Sequence, residues 1–379
     1  MVQKLPLGIA AALLLAFVAL SATPARNVDA QDANVVVQAG GGETGYAVNA
    51  FLPGSITIEA GSSVTWEFPW LEPHIVAFLP EGAPEPEGEP AVSPPGTEWP
   101  NDDGYVYSGL IFGDPATPPT FGPIVFPEAG TYQYFCPIHP GMTATVTVVA
   151  AGGEADTQAD IDARGEAEYA SRIADIKAVA ATVAAQEVKV TPRADGTNLF
   201  EIVVGAMNEA GDDAMQFFPP AINVKTGDTV KWVTNVGSPH TVTFNAPPGP
   251  PEGDPFAIPR TANTTFDGTG FTHSGILSAA PEEGVYTSYE LTFTATGSFT
   301  YVCILHAPQG MVGAVNVTAA TTPTPTPTAT ATPTQTTAPQ PPATGTGTAG
   351  TGSTPIWLLA IAGLVVMAAG GSVVFAARR

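Results

Sequence analysis

The chain has 379 residues, of which 44% are hydrophobic and only 12% charged, with 40 Gly and 39 Pro. This suits β-rich domains with many turns, and the length allows two modest domains plus tails. The formal net charge of −23 argues against nucleic acid and anionic lipid as partners; it suits either a basic partner or simple solubility outside a cell.

Lys4 is followed by an apolar run, Leu5 to Leu20, and then by small residues with cleavage points after Ala25 or Ala30. Residues 1–30 therefore read as a secretory signal, which sends the domains that follow outside the cytoplasm. Residues 31–150 form the first expected domain. Within it, Ile56-Thr57-Ile58-Glu59-Ala60-Gly61-Ser62-Ser63-Val64-Thr65-Trp66 alternates apolar residues on either side of a Gly turn, which predicts two half-buried antiparallel strands. Pro80 to Pro100 is rich in Pro and Glu and reads as a surface loop.

Residues 151–187 form a helical linker. Tyr169, Ile173, Ile176, Ala180 and Val183 make one apolar stripe, as on a semi-rigid connecting helix, either free or packed on one domain. Residues 188–319 repeat the first domain at an offset of about 166 residues. Ile222-Asn223-Val224-Lys225-Thr226-Gly227-Asp228-Thr229-Val230-Lys231-Trp232 matches the strand pair above, Pro239-His240 matches Pro73-His74, and Ser274-Gly275-Ile276 matches Ser108-Gly109-Leu110. Gly297 to Cys303 matches Gly130 to Cys136. Trp66 and Trp232 are expected in the two cores.

Residues 320–354 are a Thr/Pro/Gly-rich stalk, whose composition cannot build a core. Residues 355–379 are a transmembrane anchor with a basic tail. Ile356 to Ala377 is uncharged and exceeds the roughly 20 apolar residues a bilayer requires, and Arg378-Arg379 favours a cytoplasmic C-terminus. Pro342-Ala343-Thr344-Gly345 ahead of this segment resembles a cell-wall sorting signal, with Pro341 where Leu is expected. Wall attachment is the minor alternative to a retained membrane anchor.

Two cysteines in an exported chain first suggest one disulfide. Their surroundings point elsewhere. Cys136-Pro137-Ile138-His139-Pro140-Gly141-Met142 holds Cys, His and Met at C-x2-H-x2-M, and Cys303 to Met311 holds Cys303, His306 and Met311 at C-x2-H-x4-M. His74 and His240 lie upstream at matching places. One thiolate, two imidazoles and one thioether are the ligand set of a blue, type 1 copper site.

Both repeats resemble cupredoxins of the plastocyanin, amicyanin and halocyanin type, over residues 34–150 and 188–319. The first ligand loop has amicyanin length and the second plastocyanin length. The resemblance implies an all-β fold class: two Greek-key sandwiches joined by the helical linker and followed by the membrane helix. It implies two type 1 copper ions, held by His74, Cys136, His139 and Met142 in the first repeat and by His240, Cys303, His306 and Met311 in the second. The family often has Asn after the upstream His, where it helps bind the ligand loops together. Ile75 and Thr241 stand there instead, and Ile75 has no hydrogen-bonding side chain. Pro140 after His139 also lacks an N–H, so the first site is expected to be tuned differently.

Related copper enzymes need several further histidines, and this chain has five in all, four of them assigned. No enzyme is therefore expected. His273, the fifth, reads as part of a solvated loop. The function expected is one-electron transfer through Cu(I)/Cu(II) with a redox protein partner, such as a basic cytochrome or an oxidase subunit. The alternative is an extracytoplasmic copper-binding or delivery protein.

Overall fold

The computed structural model describes residues 33–320 apart from 81, 84–87, 249–253 and 281–283. The expected signal, the stalk from residue 321 and the anchor lie outside the described residues. Among the described residues no helix is long and apolar enough to cross a membrane.

Repeat one is built from β1 (Asn34–Glu43), β2 (Tyr46–Leu52), β3 (Ser55–Glu59), β4 (Ser63–Glu67), β5 (Thr120–Val125), β6 (Gly130–Phe135) and β7 (Thr143–Val149). Every second residue points inward: Val35 and Val37, Ile56 and Ile58, Val64 and Trp66, Val146 and Val148 are all buried. This period of two sets apolar side chains on one face of each strand. One sheet runs β2-β1-β4-β5 and the other brings β3, β7 and β6 together, so the repeat is a two-sheet sandwich. The strands β1 and β4 are parallel, as are β3 and β7.

After a helix, α1 (Gln158–Ala184), the plan recurs as β8 (Asn198–Met207), β9 (Asp213–Phe218), β10 (Ala221–Lys225), β11 (Thr229–Val233), β12 (Ser288–Phe293), β13 (Gly297–Val302) and β14 (Val312–Thr318). The parallel pairs β8·β11 and β10·β14 repeat those of the first half. The aromatic cores match as well. Trp66 meets Tyr134 edge-on at 5.3 Å, and Trp232 meets Tyr301 edge-on at 5.3 Å.

The two repeats are continuous with each other. Strand β2 pairs antiparallel with its own counterpart β9, through Asp213 opposite Ala47 and Ala214 opposite Tyr46. The inner sheets thereby merge into one, ordered β12-β11-β8-β9-β2-β1-β4-β5 along its middle. Like the isologous face of a two-fold dimer, the seam joins equivalent surfaces, here within one chain. Both repeats fall in one compact unit.

The helix differs from the expected connector: it is packed across the seam. Ile173, Ile176 and Ala180 share a buried cluster with Val48, Ala50 and Leu52 of repeat one and with Ala206, Ala214 and Phe218 of repeat two. A capping box of Thr157 and Asp160 starts it. Arg172 reaches the carbonyls of Asn49 and Ala210 and pairs with the buried Asp212 at 2.6 Å, while the Asn49 N–H donates to Asp212 Oδ1 at 3.0 Å. A buried polar knot thus links helix, first repeat and second repeat.

Candidate metal centres

Each upstream histidine is placed by a short strand pairing at one end of its sandwich. His74 pairs with Ile111, and the His240 N–H donates to the Leu277 carbonyl at 2.9 Å. The following segment is pinned by the serine of the repeated Ser-Gly pair. Ser108 Oγ accepts from the Val76 N–H and Ser274 Oγ from the Val242 N–H, both at 2.8 Å.

The ligand loops leave β6 and β13 and fold back on themselves. In repeat one the Cys136 N–H donates to the Met142 carbonyl at 2.9 Å, and the Met142 N–H to the His139 carbonyl at 3.0 Å. In repeat two the Cys303 and Met311 N–H groups do the same toward Met311 and His306, at 3.1 and 3.0 Å. Met142 and Met311 are buried in their respective cores.

These elements bring the donors together. His74, Cys136 and His139 offer ligand atoms within 4.8 Å of one another, and so do His240, Cys303 and His306. His74 Nδ1 and His139 Nδ1 are 3.1 Å apart, and His240 Nδ1 and His306 Nδ1 are 3.2 Å apart. The thiol sulfurs lie 3.6 and 3.5 Å from Nδ1 of His139 and His306. Each sulfur also accepts a backbone N–H at 3.3 Å, from Ile75 or Thr241. Both cysteines are free and buried.

Two glycines complete the sites and were not singled out by sequence. Gly40 and Gly205 interrupt β1 and β8 at a register shift, with φ of +75° and +71°. A Cβ at Gly40 would lie 2.0 Å from His74 Nε2, and one at Gly205 would lie 2.3 Å from His240 Nε2. The rings press against bare backbone, and both Nε2 atoms are buried without a hydrogen-bond partner. The signal available in the sequence was a glycine inside a strand at matching places of the two repeats.

Electrostatics follow from burial and these contacts. Burial, together with the neighbouring His139, pushes His74 down to about 3. Burial opposes a proton on His139, but Cys136 and Glu72 on either side of the ring raise it to about 9. His306 is likewise held well above its ordinary value against burial, by Cys303 and Glu72. Burial would raise the Cys303 thiol, but His306 and His240 bring it well below its usual range. Metal ligation needs neutral imidazoles and a thiolate, so a metal ion taken up at either site would displace the proton held on His139 or His306. Two converging imidazole nitrogens and a thiolate, with a buried Met in the same loop and no carboxylate in the set, fit copper.

His273 departs from the expected solvated loop. It is fully buried in a two-residue strand, Thr272–His273, that pairs with Thr243–Phe244. Its Nδ1 is 2.9 Å from Thr243 Oγ1, which is 3.2 Å from Thr241 Oγ1, which accepts the Ile304 N–H at 2.9 Å. A buried polar chain therefore runs from His273 to the residue after Cys303. Pro80 to Pro100 is also less simply a surface loop: Ser93 and Trp99 are buried in it.

A family model described as copper-binding proteins of the plastocyanin/azurin family matches residues 204–318. The plastocyanin of Scenedesmus fuscus is 32% identical over 108 residues, covering 28% of this chain and 92% of that protein. The chloroplastic plastocyanin of Chlamydomonas reinhardtii is 30% identical over 148 residues, covering 39% of this chain and 83% of that one. Among solved structures, amicyanin from Paracoccus versutus is 23% identical over 34% of this chain and 92% of its own, with a TM-score of 0.20.

Proposed function

The chain belongs to the plastocyanin/azurin family of copper-binding proteins, and on that premise we propose that it is an exported, membrane-anchored carrier of single electrons with two type 1 copper sites. The observation that carries this reading is the duplicated convergence of His, Cys and His, all buried except the half-buried His139. His74, Cys136, His139 and Met142 would hold one copper, and His240, Cys303, His306 and Met311 the other. Bound copper supplies a Cu(I)/Cu(II) couple at each site.

The protein's own residues keep the donors in place. Backbone N–H groups of Ile75 and Thr241 hold the sulfurs, the Ser108 and Ser274 hydroxyls hold the segments behind the upstream histidines, and Gly40 and Gly205 admit the rings. A donor set fixed by strands on several sides changes little between oxidation states, which favours fast electron exchange. Burial supports a carrier over a delivery protein, because a metal to be handed on needs an accessible, exchangeable site. His74, Cys136, His240 and Cys303 are each at most 2% exposed.

The signal and anchor would hold both sites outside the cytoplasm, near a redox protein partner. The net charge of −23 supports a basic partner. The test is electron exchange with candidate basic cytochromes over a range of salt. Association that slows steeply with ionic strength is expected. Exchange independent of salt would remove the basic partner, and no exchange at all would favour copper delivery.

A further inference from the structure

The two centres share one residue that belongs to neither donor set. Glu72 lies two residues before His74 and is 8% exposed. Its Oε1 is 3.5 Å from Nε2 of His139, and its Oε2 is 3.8 Å from Nε2 of His306. These nitrogens are on the far side of the rings from the Nδ1 atoms that face the thiols. The Gln309 side-chain amide donates to Glu72 Oε2 at 3.3 Å. Gln309 stands in the longer stretch between His306 and Met311, and its carbonyl accepts the Gly45 N–H of repeat one at 2.8 Å. The matching position of repeat two is Ser238; the other buried carboxylate nearby, Asp213, faces Ser238 and the site-two histidines and not His139.

We propose that Glu72 is a positioning residue shared by both metal centres: it orients the outer histidine of each and sets one buried negative charge against both. The proposal rests on the copper reading above. A ligating histidine whose second N–H meets a carboxylate is fixed in tautomer and ring orientation and becomes a more basic ligand. An anion in a site of low dielectric also favours the more positive state of a nearby metal centre. One anion between two centres does both things for both. Glu72 itself transfers neither electron nor proton. Gln309 and the seam between the repeats keep the carboxylate in place.

The experiment uses the full-length chain in detergent with Glu72→Gln, which keeps the shape and removes the charge. Each centre is read alone by adding Cys136→Ser or Cys303→Ser and measuring the reduction potential of the remaining one. Both potentials are expected to rise. A change at the first site alone, or at neither, would overturn the proposal. The second readout is independent of copper. In the zinc-loaded wild-type chain, nitrogen NMR should show downfield-shifted Nε2–H protons on both His139 and His306, and Glu72→Gln should move both. An ordinary solvent-like Nε2–H on either ring overturns the shared role. A chain that takes up no copper sinks the electron-carrier reading instead, while the zinc-loaded spectra still decide the role of Glu72.

Discussion

Site one and site two place the same donors on the same scaffold, yet their surroundings differ in polarity and in closure. Behind site two, His273, Thr243 and Thr241 form a buried polar chain that ends on the Ile304 N–H. The matching positions of repeat one are Tyr107, Ala77, Ile75 and Pro137, where Ala77 pairs with Tyr107 as Thr243 pairs with His273. Pro137 has no N–H and Ile75 no acceptor, so the missing donor and the missing acceptor match each other and no buried polar atom is stranded. Site two is also more closed. His306 has 7% of its side chain exposed against 17% for His139. Ile138 beside His139 is 43% exposed, whereas its counterpart Leu305 packs on the core. The comparison teaches that duplicated ligands do not make duplicated sites: the neighbours one layer out set them apart.

The sharpest way to break the symmetry is at the glycines. Gly40→Ala should abolish metal binding at site one and Gly205→Ala at site two, because each Cβ would overlap a histidine ring in a backbone conformation that disfavours L side chains. Copper counted per chain should fall by half in either variant; full loading in Gly205→Ala would contradict the close approach. Next in size is the seam that holds the two sites together. Arg172→Ala leaves Asp212 buried without its partner, and denaturant unfolding should show a loss of about 3 kcal/mol. A change below measurement error would mean that the helix does not strap the repeats.

A smaller effect separates the sites by their polar chains. Thr241→Val should cost about 1 kcal/mol and shift the spectrum of site two only. Ile75→Thr should leave the spectrum of site one unchanged, since Pro137 offers no N–H to bond, and should cost about 1 kcal/mol or more by burying an unpaired hydroxyl. Equal spectral effects at the two sites would erase the distinction drawn here. The pH dependence of loading tests site one. His139 keeps its proton up to about 9, so copper uptake near neutrality expels it and affinity should rise with pH until about 9. In the metal-free chain the same raised value stabilises the fold fully below about 6.5 and is lost as pH rises through about 9. Titrations at several pH values measure both, and a flat profile would contradict the assignment. The smallest expected effect is at the surface: Ile138→Asp should slow exchange with an external partner a few-fold and leave the spectrum unchanged.

Much of this was legible in the sequence because it is local and occurs twice. Alternating apolar residues mark strands such as Ser55–Glu59 and Thr143–Val149, and Cys, His and Met recur in the same order, with the Cys–His spacing kept and an upstream His in each copy. Thr241 and Ile75 were recognisable as a departure, though the matching change at Pro137 and Ile304 became clear only when the loops were seen side by side. The seam was not legible, since pairing between β2 and β9 uses backbone groups that leave no side-chain pattern. The helix was read as a spacer because its apolar stripe does not say what covers it. Glu72 carries no signature either: a carboxylate in a loop looks solvated until two histidines from distant parts of the chain close over it. His273 was misplaced for the same reason, as its partner Thr243 is 30 residues away.

The measurement that most directly tests the central claim is the visible spectrum of the copper-loaded full-length chain, with copper counted per chain. Two coppers per chain and an intense thiolate-to-copper absorption, half of it lost in Cys136→Ser and the other half in Cys303→Ser, are the predicted result. A colourless protein, or one holding a single labile copper, would contradict it.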